Sequence, residues 1–248
     1  MGSLDSWGTE FKKIGWFIPP YVTKGEINNI LGANIKNEAD FTQLELENIL
    51  SPIYSENNLA NLFIEKYSKT PFIKDYINIL DNGIEAHFMG LHYSAVATLI
   101  PVIEGASRKL AIKRGVHNDH LKPTIRNICK SCKVEVVSKK LGAYEEVESM
   151  IDSFEFFLVN NFYLKSSKYP HEDKTNRHGI VHGSFDDSDY GTAINFYKTI
   201  AAINSLCFLA EIDAGLSWFP PNDSEEAYKK AMYYSLCNKF STLRDQYS

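Results

Sequence analysis

The chain has 248 residues, of which 44% are hydrophobic and 13% aromatic, and it carries a formal net charge of −5 at pH 7. This composition supports a sizeable core and excludes a disordered chain, and four cysteines are too few for a disulfide scaffold of this length. Charged or amide residues interrupt every strongly apolar stretch before the roughly 18 residues that a membrane span requires. We therefore expect a soluble, cytoplasmic protein with no membrane association.

Helical periodicity dominates the chain, which predicts an all-α fold. The pattern of residues 1–67 predicts an N-terminal extension that begins with an irregular aromatic segment and continues with short helices. Residues 70–216 predict an up-and-down helical bundle, and residues 217–248 a C-terminal helix that packs on it. We place the first boundary at 69–71 because Pro71 suits the first position of the next helix.

Within the predicted bundle, apolar residues recur at spacings of three and four over 72–91 and over 144–164, which indicates two amphipathic helices. Pro101 should kink or break the helix that lies between them. The β-branched stretch 134–137 is either a short strand or the end of a helix. The polar segment 165–176 predicts a loop in front of the motif described next.

The sequence Arg-His-Gly-Ile-Val-His-Gly at 177–183 combines a permanent cation with a side chain that exchanges protons near neutral pH. The Arg177 guanidinium stays charged and its planar fork suits phosphate oxygens, whereas an unperturbed His182 has a pKa of roughly 6.5. Such a pair can cleave a phosphate ester without a metal or another cofactor. One Arg-x4-His match alone is a weak signal, so its surroundings matter.

Asn176 precedes the arginine, two aliphatic residues and then histidine and glycine follow it, and Asp-Tyr-Gly-Thr at 189–192 opens a long apolar helical stretch. Together with the segments 90–95 and 101–105, this arrangement resembles the HEPN superfamily of all-helical domains. The resemblance covers roughly residues 71–215. Many HEPN proteins are metal-independent ribonucleases, often encoded near phage-defence systems, and some are toxins. In some toxin members a tyrosine stands where this chain has Ser184.

The resemblance implies that Arg177 and His182 are catalytic and that His178 supports them. Asn176, directly before the arginine, or Thr175 is a candidate cap for a short helix that carries the motif. Glu104 could hold a histidine tautomer or pair with Arg177, and it could equally be a structural capping or salt-bridge residue. The implied reaction is attack by the RNA 2′-hydroxyl on the adjacent phosphate, with histidine as base or acid.

The spacing of the motif poses a geometric problem. Five residues along an α-helix advance about 7.5 Å and turn through about 140°, so Arg177 and His182 would not project side by side. Either Arg177 precedes the first helical turn, or two chains bring two motifs together. The resemblance favours the second solution, because HEPN ribonucleases usually work as homodimers with a composite active site.

Positive charge is concentrated in residues 108–140, which hold ten lysines and arginines but two acidic residues, giving +8 against −13 for the rest of the chain. A concentrated basic segment can steer a phosphate backbone, although about half of these residues are expected simply to solvate helix faces. The candidate nucleic-acid-binding residues are Lys113, Arg114, Lys122 and Arg126.

Two alternatives to a free ribonuclease remain. The chain could be a non-catalytic HEPN-type module that binds RNA, a nucleotide or a partner protein, or a toxin whose activity an antitoxin or other defence protein silences. A zinc site formed by His117, His120, Cys129 and Cys132 is also conceivable. Because Pro123 separates the pairs and their spacing is short, we interpret the cysteines as ordinary helix-surface residues and expect no metal site.

Overall fold

The computed structural model describes residues 4–30, 42–214 and 219–245. Most residues in these ranges are helical and none lies in a β-strand, which confirms the all-α prediction. Twelve α-helices lie in these ranges: α1 Asp5–Lys13, α2 Lys24–Ile30, α3 Gln43–Leu50, α4 Glu56–Leu62, α5 Ile77–Phe88, α6 His92–Lys113, α7 Leu121–Lys139, α8 Tyr144–Phe157, α9 Arg177–Val181, α10 Asp187–Tyr190, α11 Ala193–Ala214 and α12 Glu225–Asp245.

Helix α6 lies at the centre of the bundle, where it packs against α5, α7 and α11. Helix α8 packs on α7, and α12 packs on α4 and α5. Residues of the predicted N-terminal extension belong to the same hydrophobic core, because α1 packs on α8 and α3 packs on α11. The predicted boundary between 216 and 217 lies outside the described residues.

The irregular aromatic segment expected near the start of the chain is in fact helical over Asp5–Lys13. Phe11 within this helix is fully buried, as are Trp16 and Phe17 in the segment that follows it. The prediction that these aromatic residues pack against another part of the protein is therefore confirmed. The prediction of an irregular backbone was wrong for the residues of α1.

One prediction about a helix boundary was wrong, and one expected break is absent. Helix α6 continues through Pro101 without a break, and this proline is exposed. The helix after residue 70 does not begin at Pro71, because Phe72 has a φ of +68° and a 3-10 turn, Lys74–Tyr76, precedes α5. The ambiguous stretch 134–137 lies within α7 and is helical.

Helix α11 is long and apolar enough to cross a membrane, by length and composition, over Ala193–Ile212. Within the bundle, however, 94% of this stretch is buried. Its apolar composition is accounted for by contacts with α3, α6, α7 and α8, which surround it as a core helix.

A buried ion pair fixes the loop that leads to α9. The Asp173 carboxylate lies 3.0 Å from the Lys198 ammonium of α11, and both side chains are fully shielded from solvent. Asp173 also accepts hydrogen bonds from the Tyr169 hydroxyl and from the backbone N–H of Thr175. Burial alone would raise the pKa of Asp173, but Lys198 and Thr175 outweigh it and the pKa is lowered. The carboxylate is therefore ionised at neutral pH, and it ties the loop to the core helix.

We expect Lys198→Met to lower the free energy of unfolding by about 3–5 kcal/mol, because it leaves the buried Asp173 carboxylate without its counter-charge. Urea denaturation followed by circular dichroism measures this change. The control is Lys130→Met, at an exposed lysine of α7, which should change the free energy by less than about 0.5 kcal/mol. Equal losses in the two variants would contradict this role of the ion pair.

Candidate active site

The motif lies on α9, a helix of five residues whose start is fixed by Asn176. The Asn176 side chain is fully buried and its oxygen accepts a hydrogen bond from the Gly179 N–H at 2.9 Å. Its amide group donates to the carbonyls of Asn161 and Leu164, at 2.9 and 2.8 Å. Asn176 therefore caps α9 and joins it to the residues that follow α8, and its role is structural.

Two glycines shape this short helix. A Cβ atom at Gly179 would lie 2.1 Å from the Phe185 ring, so no larger residue fits there without displacing the ring. Gly183 has a φ of +65° and follows the last helical turn, where a left-handed residue commonly ends a helix. Asn176 and Gly183 thus limit α9 to Arg177–Val181 and leave His182 just beyond its end.

Arg177 and His182 meet within a single chain. The Nη1 atom of Arg177 lies 2.9 Å from the Nε2 atom of His182. The expected mismatch of their directions does not arise, because Arg177 is the first residue of α9 and His182 follows the last one with non-helical dihedral angles. Since a guanidinium has donors alone, His182 accepts this hydrogen bond at Nε2 and, when neutral, carries its proton on Nδ1.

Glu104 of α6 pairs with Arg177, a contact that fits both the pairing with Arg177 and the structural salt bridge considered for it. Its Oε1 atom accepts a hydrogen bond from Arg177 Nε at 2.6 Å, and the two side chains are 24% and 20% exposed. The carboxylate therefore holds the Nε edge of the guanidinium, and the Nη1 edge is turned toward His182.

His178 lies next to this pair. Its ring is nearly parallel to the His182 ring, with 5.8 Å between centroids and 19° between planes. Burial lowers the pKa of His178 from its ordinary value, and the positive charges of Arg177 and Lys122, among others, lower it further. The imidazole of His178 is therefore neutral at neutral pH and can donate or accept a hydrogen bond beside His182.

The four predicted nucleic-acid-binding residues differ in accessibility. Lys113 and Arg126 are exposed, and Lys122 is partly buried but close enough for its charge to act on His178. Arg114 differs, because its side chain is 5% exposed and its guanidinium lies 2.8 Å from the Glu135 carboxylate. Arg114 thus connects α6 to α7, and the expectation that it presents its charge to a polyanion is not met in this structure.

Two residues near the motif were not singled out by the sequence. Tyr163 is 3% exposed, and its hydroxyl has no hydrogen-bond partner among the residues that the structure describes. Burial raises the pKa of Tyr163, as does Glu104, while Arg177 and Arg108 lower it, so its hydroxyl lies within the field of the Arg177–Glu104 pair. Arg108 lies one helical turn after Glu104 in α6, and this spacing could have indicated it from the sequence. Tyr163 gave no such signal, because it belongs to the apolar pattern of a predicted helix.

The remaining polar candidates do not join the site. Ser184 is exposed beyond the end of α9, and its N–H donates to the Gly179 carbonyl at 2.8 Å. His117 and His120 are exposed, whereas the cysteines are buried, so the interpretation of Cys129 and Cys132 as surface residues was wrong. In the described parts of the chain, no group of three or more His, Cys, Asp or Glu side chains is placed to hold a metal ion.

Comparisons of the sequence with protein-family models and with curated proteins, and of the fold with solved structures, find no match. The functional interpretation therefore depends on the geometry described above and on the resemblance of the motif.

The charge of Lys122 should be measurable at His178. Lys122→Gln removes a positive charge that disfavours the imidazolium, so the pKa of His178 should rise toward its ordinary value of about 6.5. A titration of the imidazole nitrogens by NMR measures this pKa. Lys130→Gln, at an exposed position of the same helix, is the control and should have no effect. An unchanged His178 pKa in Lys122→Gln would refute the proposed electrostatic contact.

Proposed function

We propose that this chain is a metal-independent endoribonuclease of HEPN type that cleaves RNA by transesterification through the 2′-hydroxyl. The observation that carries the proposal is the 2.9 Å contact between Arg177 and His182, with Glu104 holding the other edge of the guanidinium. A fixed cation and an exposed imidazole at one point of the surface are the groups that such a reaction requires.

In the proposed reaction, the Arg177 guanidinium binds the non-bridging oxygens of the scissile phosphate. Its Nη1 donor then turns from His182 to the phosphate, which frees the lone pair of Nε2. His182 takes the proton of the 2′-hydroxyl, the 2′-oxygen forms a bond to phosphorus, and the bond from phosphorus to the 5′-oxygen breaks. The 5′-oxygen receives a proton from an imidazolium or from water, giving a 2′,3′-cyclic phosphate and a 5′-hydroxyl.

The remaining groups assist this step. Glu104 positions Arg177, and a neutral His178 orients the imidazole of His182 or the substrate. Lys122 and Arg126 of α7 extend the positive surface from the motif, which suits the phosphates on either side of the cleaved bond. Lys113, at the exposed end of α6, offers a further contact to the RNA backbone.

The proposed setting is the cytoplasm, in phage defence or as a toxin, with an antitoxin or another defence protein as a regulatory partner. The resemblance further implies a homodimer with a composite cleft. Because each chain brings its own Arg177 to its own His182, the pairing of these two residues does not itself require a second copy. A mixture of Arg177→Ala and His182→Ala chains would recover activity in a composite cleft and would stay inactive with two separate sites.

The alternative function is a non-catalytic module that binds RNA, a nucleotide or a protein. One observation favours it: the Nε2 atom of His182, which would act as the base, is engaged by Arg177. In such a module the pair would serve as an anion clamp.

Pure protein should cleave labelled single-stranded RNA in the presence of a chelator and should leave 2′,3′-cyclic phosphate ends. His182→Ala should lower the rate by about 10²–10⁴-fold, because it removes the proton-transfer group. Arg177→Ala should lower it by about 10²–10³-fold through loss of charge stabilisation. Gel analysis of the products and mass spectrometry of their ends measure these outcomes.

The matched control is His120→Ala, which removes an exposed histidine outside the motif and should leave the rate unchanged. An RNA with a single 2′-deoxy residue at the cleaved position should resist cleavage. Wild-type protein that binds RNA without turnover, with equal binding by His182→Ala, would replace the nuclease proposal by the non-catalytic alternative.

A further inference from the structure

A cavity of about 370 Å³ lies between segments of the bundle that are far apart in the sequence. Its walls come from the connection of α3 to α4, the turn between α5 and α6, the start of α11, and α12. Small-molecule sites in proteins have volumes of about 300–1,000 Å³. The cavity is separate from the motif, because Glu104, the partner of Arg177, lies roughly 18 Å further along α6 than His92, which lines the cavity.

Ring side chains form part of the wall, namely Tyr54, His87, Phe88, His92 and Tyr197. The His87 ring is buried and stacks on Phe196 of α11, with 3.8 Å between centroids. The rings of Tyr54 and Tyr197 stack on each other at 5.3 Å. These rings are held in place by contacts with one another and with the core, so this part of the wall is formed before a ligand binds.

The wall carries negative charge. It contains one carboxylate, Glu56, and neither lysine nor arginine. Oε1 of Glu56 accepts a hydrogen bond from the Asn238 amide at 3.0 Å, and because this donor is neutral the negative charge is retained. Burial raises the pKa of the Tyr197 hydroxyl, and a hydrogen bond with Ser51 lowers it in part. The carboxylates of Glu47 and Glu56 raise it further, so both act at this point of the wall.

The wall offers little to an anion. Nδ1 of His87 lies 3.1 Å from Nδ1 of His92, a contact that requires one of these nitrogens to carry no proton. Burial lowers the pKa of His87 well below its ordinary value, and His92 lowers it further, so His87 is neutral. Arg244 donates to the carbonyl of Gly90, which lines the cavity, at 3.3 Å, but this contact is exposed and solvent screens the charge. A phosphate would therefore meet a carboxylate without a lysine or arginine in the wall to bind it.

One buried polar group in the wall has no partner. Tyr54 is 2% exposed, and its hydroxyl makes no hydrogen bond with any residue that the structure describes. Burial raises the pKa of this hydroxyl, so it is neutral and its oxygen can accept a hydrogen bond. Buried hydroxyls without a partner are uncommon in proteins, and an N–H donor on a ligand would satisfy this one.

We propose that this cavity binds a small organic molecule that carries a protonated primary amine. The ammonium group donates hydrogen bonds to the Glu56 carboxylate and to hydroxyl oxygens of the wall, and it is attracted by the faces of the aromatic rings. The carbon chain of the ligand packs against the same rings. This inference does not depend on the proposed ribonuclease activity, because its test measures binding and not cleavage.

Isothermal titration calorimetry with n-butylamine and with n-butanol, its neutral analogue, tests the need for charge. Butylamine should bind saturably at a single site, and butanol should bind at least about tenfold more weakly, because it lacks the ammonium group. Equal binding of the two compounds, or no saturable binding of butylamine up to about 10 mM, would overturn the proposal. So would displacement of butylamine by adenosine monophosphate, because the cavity would then accept an anion.

Two variants assign the binding to this cavity. Glu56→Gln keeps the shape of the side chain but removes its charge, and it should weaken butylamine binding by about tenfold or more. Ala193→Phe, at a partly exposed position of the wall, should abolish binding because the ring fills the cavity. The matched control is Glu145→Gln, at an exposed glutamate of α8, which should bind as wild type does.

Circular dichroism shows whether each variant is folded, and Glu56→Gln decides the question if Ala193→Phe is not. Undiminished binding by a folded Ala193→Phe variant would mean that butylamine binds elsewhere on this acidic protein. Equal losses in Glu56→Gln and Glu145→Gln would mean the same, and either result refutes the assignment of the site.

Discussion

The candidate site depends on one buried side chain, the amide of Asn176. Its NH2 group donates hydrogen bonds to the carbonyls of Asn161 and Leu164, which follow α8, and its oxygen accepts one from the Gly179 N–H at the start of α9. A single side chain therefore satisfies three backbone groups. The ion pair of Asp173 and Lys198 holds the loop immediately before it. Because both anchors are shielded from solvent, the direction in which α9 leaves the core is fixed, and with it the positions of the arginine and the histidine at its two ends.

The electrostatics of the site are more balanced than the basic sequence segment indicates. Glu104 neutralises part of the Arg177 charge in the free protein, and Glu135 pairs with Arg114. The surplus positive charge is therefore left on side chains outside the motif, such as Lys122, whose charge acts on His178, and Arg126, which is exposed on the same helix. In the proposed function, RNA would meet this outer charge first and the positioned guanidinium second, an order that suits rapid capture followed by oriented binding.

Periodicity predicted the helices well, because the apolar stripes of the bundle are local patterns. It could not predict that Phe72 adopts a positive φ or that Pro101 is tolerated, since both depend on which neighbours surround the backbone. The residues of the motif were visible in the sequence, whereas the contact between Arg177 and His182 was not. That contact depends on α9 being only five residues long. Arg114 was misjudged for a related reason: a charge in a basic segment says nothing about the acidic partner 21 residues away.

The position of α11 in the chain has a consequence for biosynthesis. Its neighbours in the core, α3, α6, α7 and α8, all precede it in the sequence. When α11 leaves the ribosome, the groove that receives it has therefore already been translated, and this mostly apolar helix can dock at once instead of waiting for later residues. This long core helix is thus exposed to solvent for a short time after it is made.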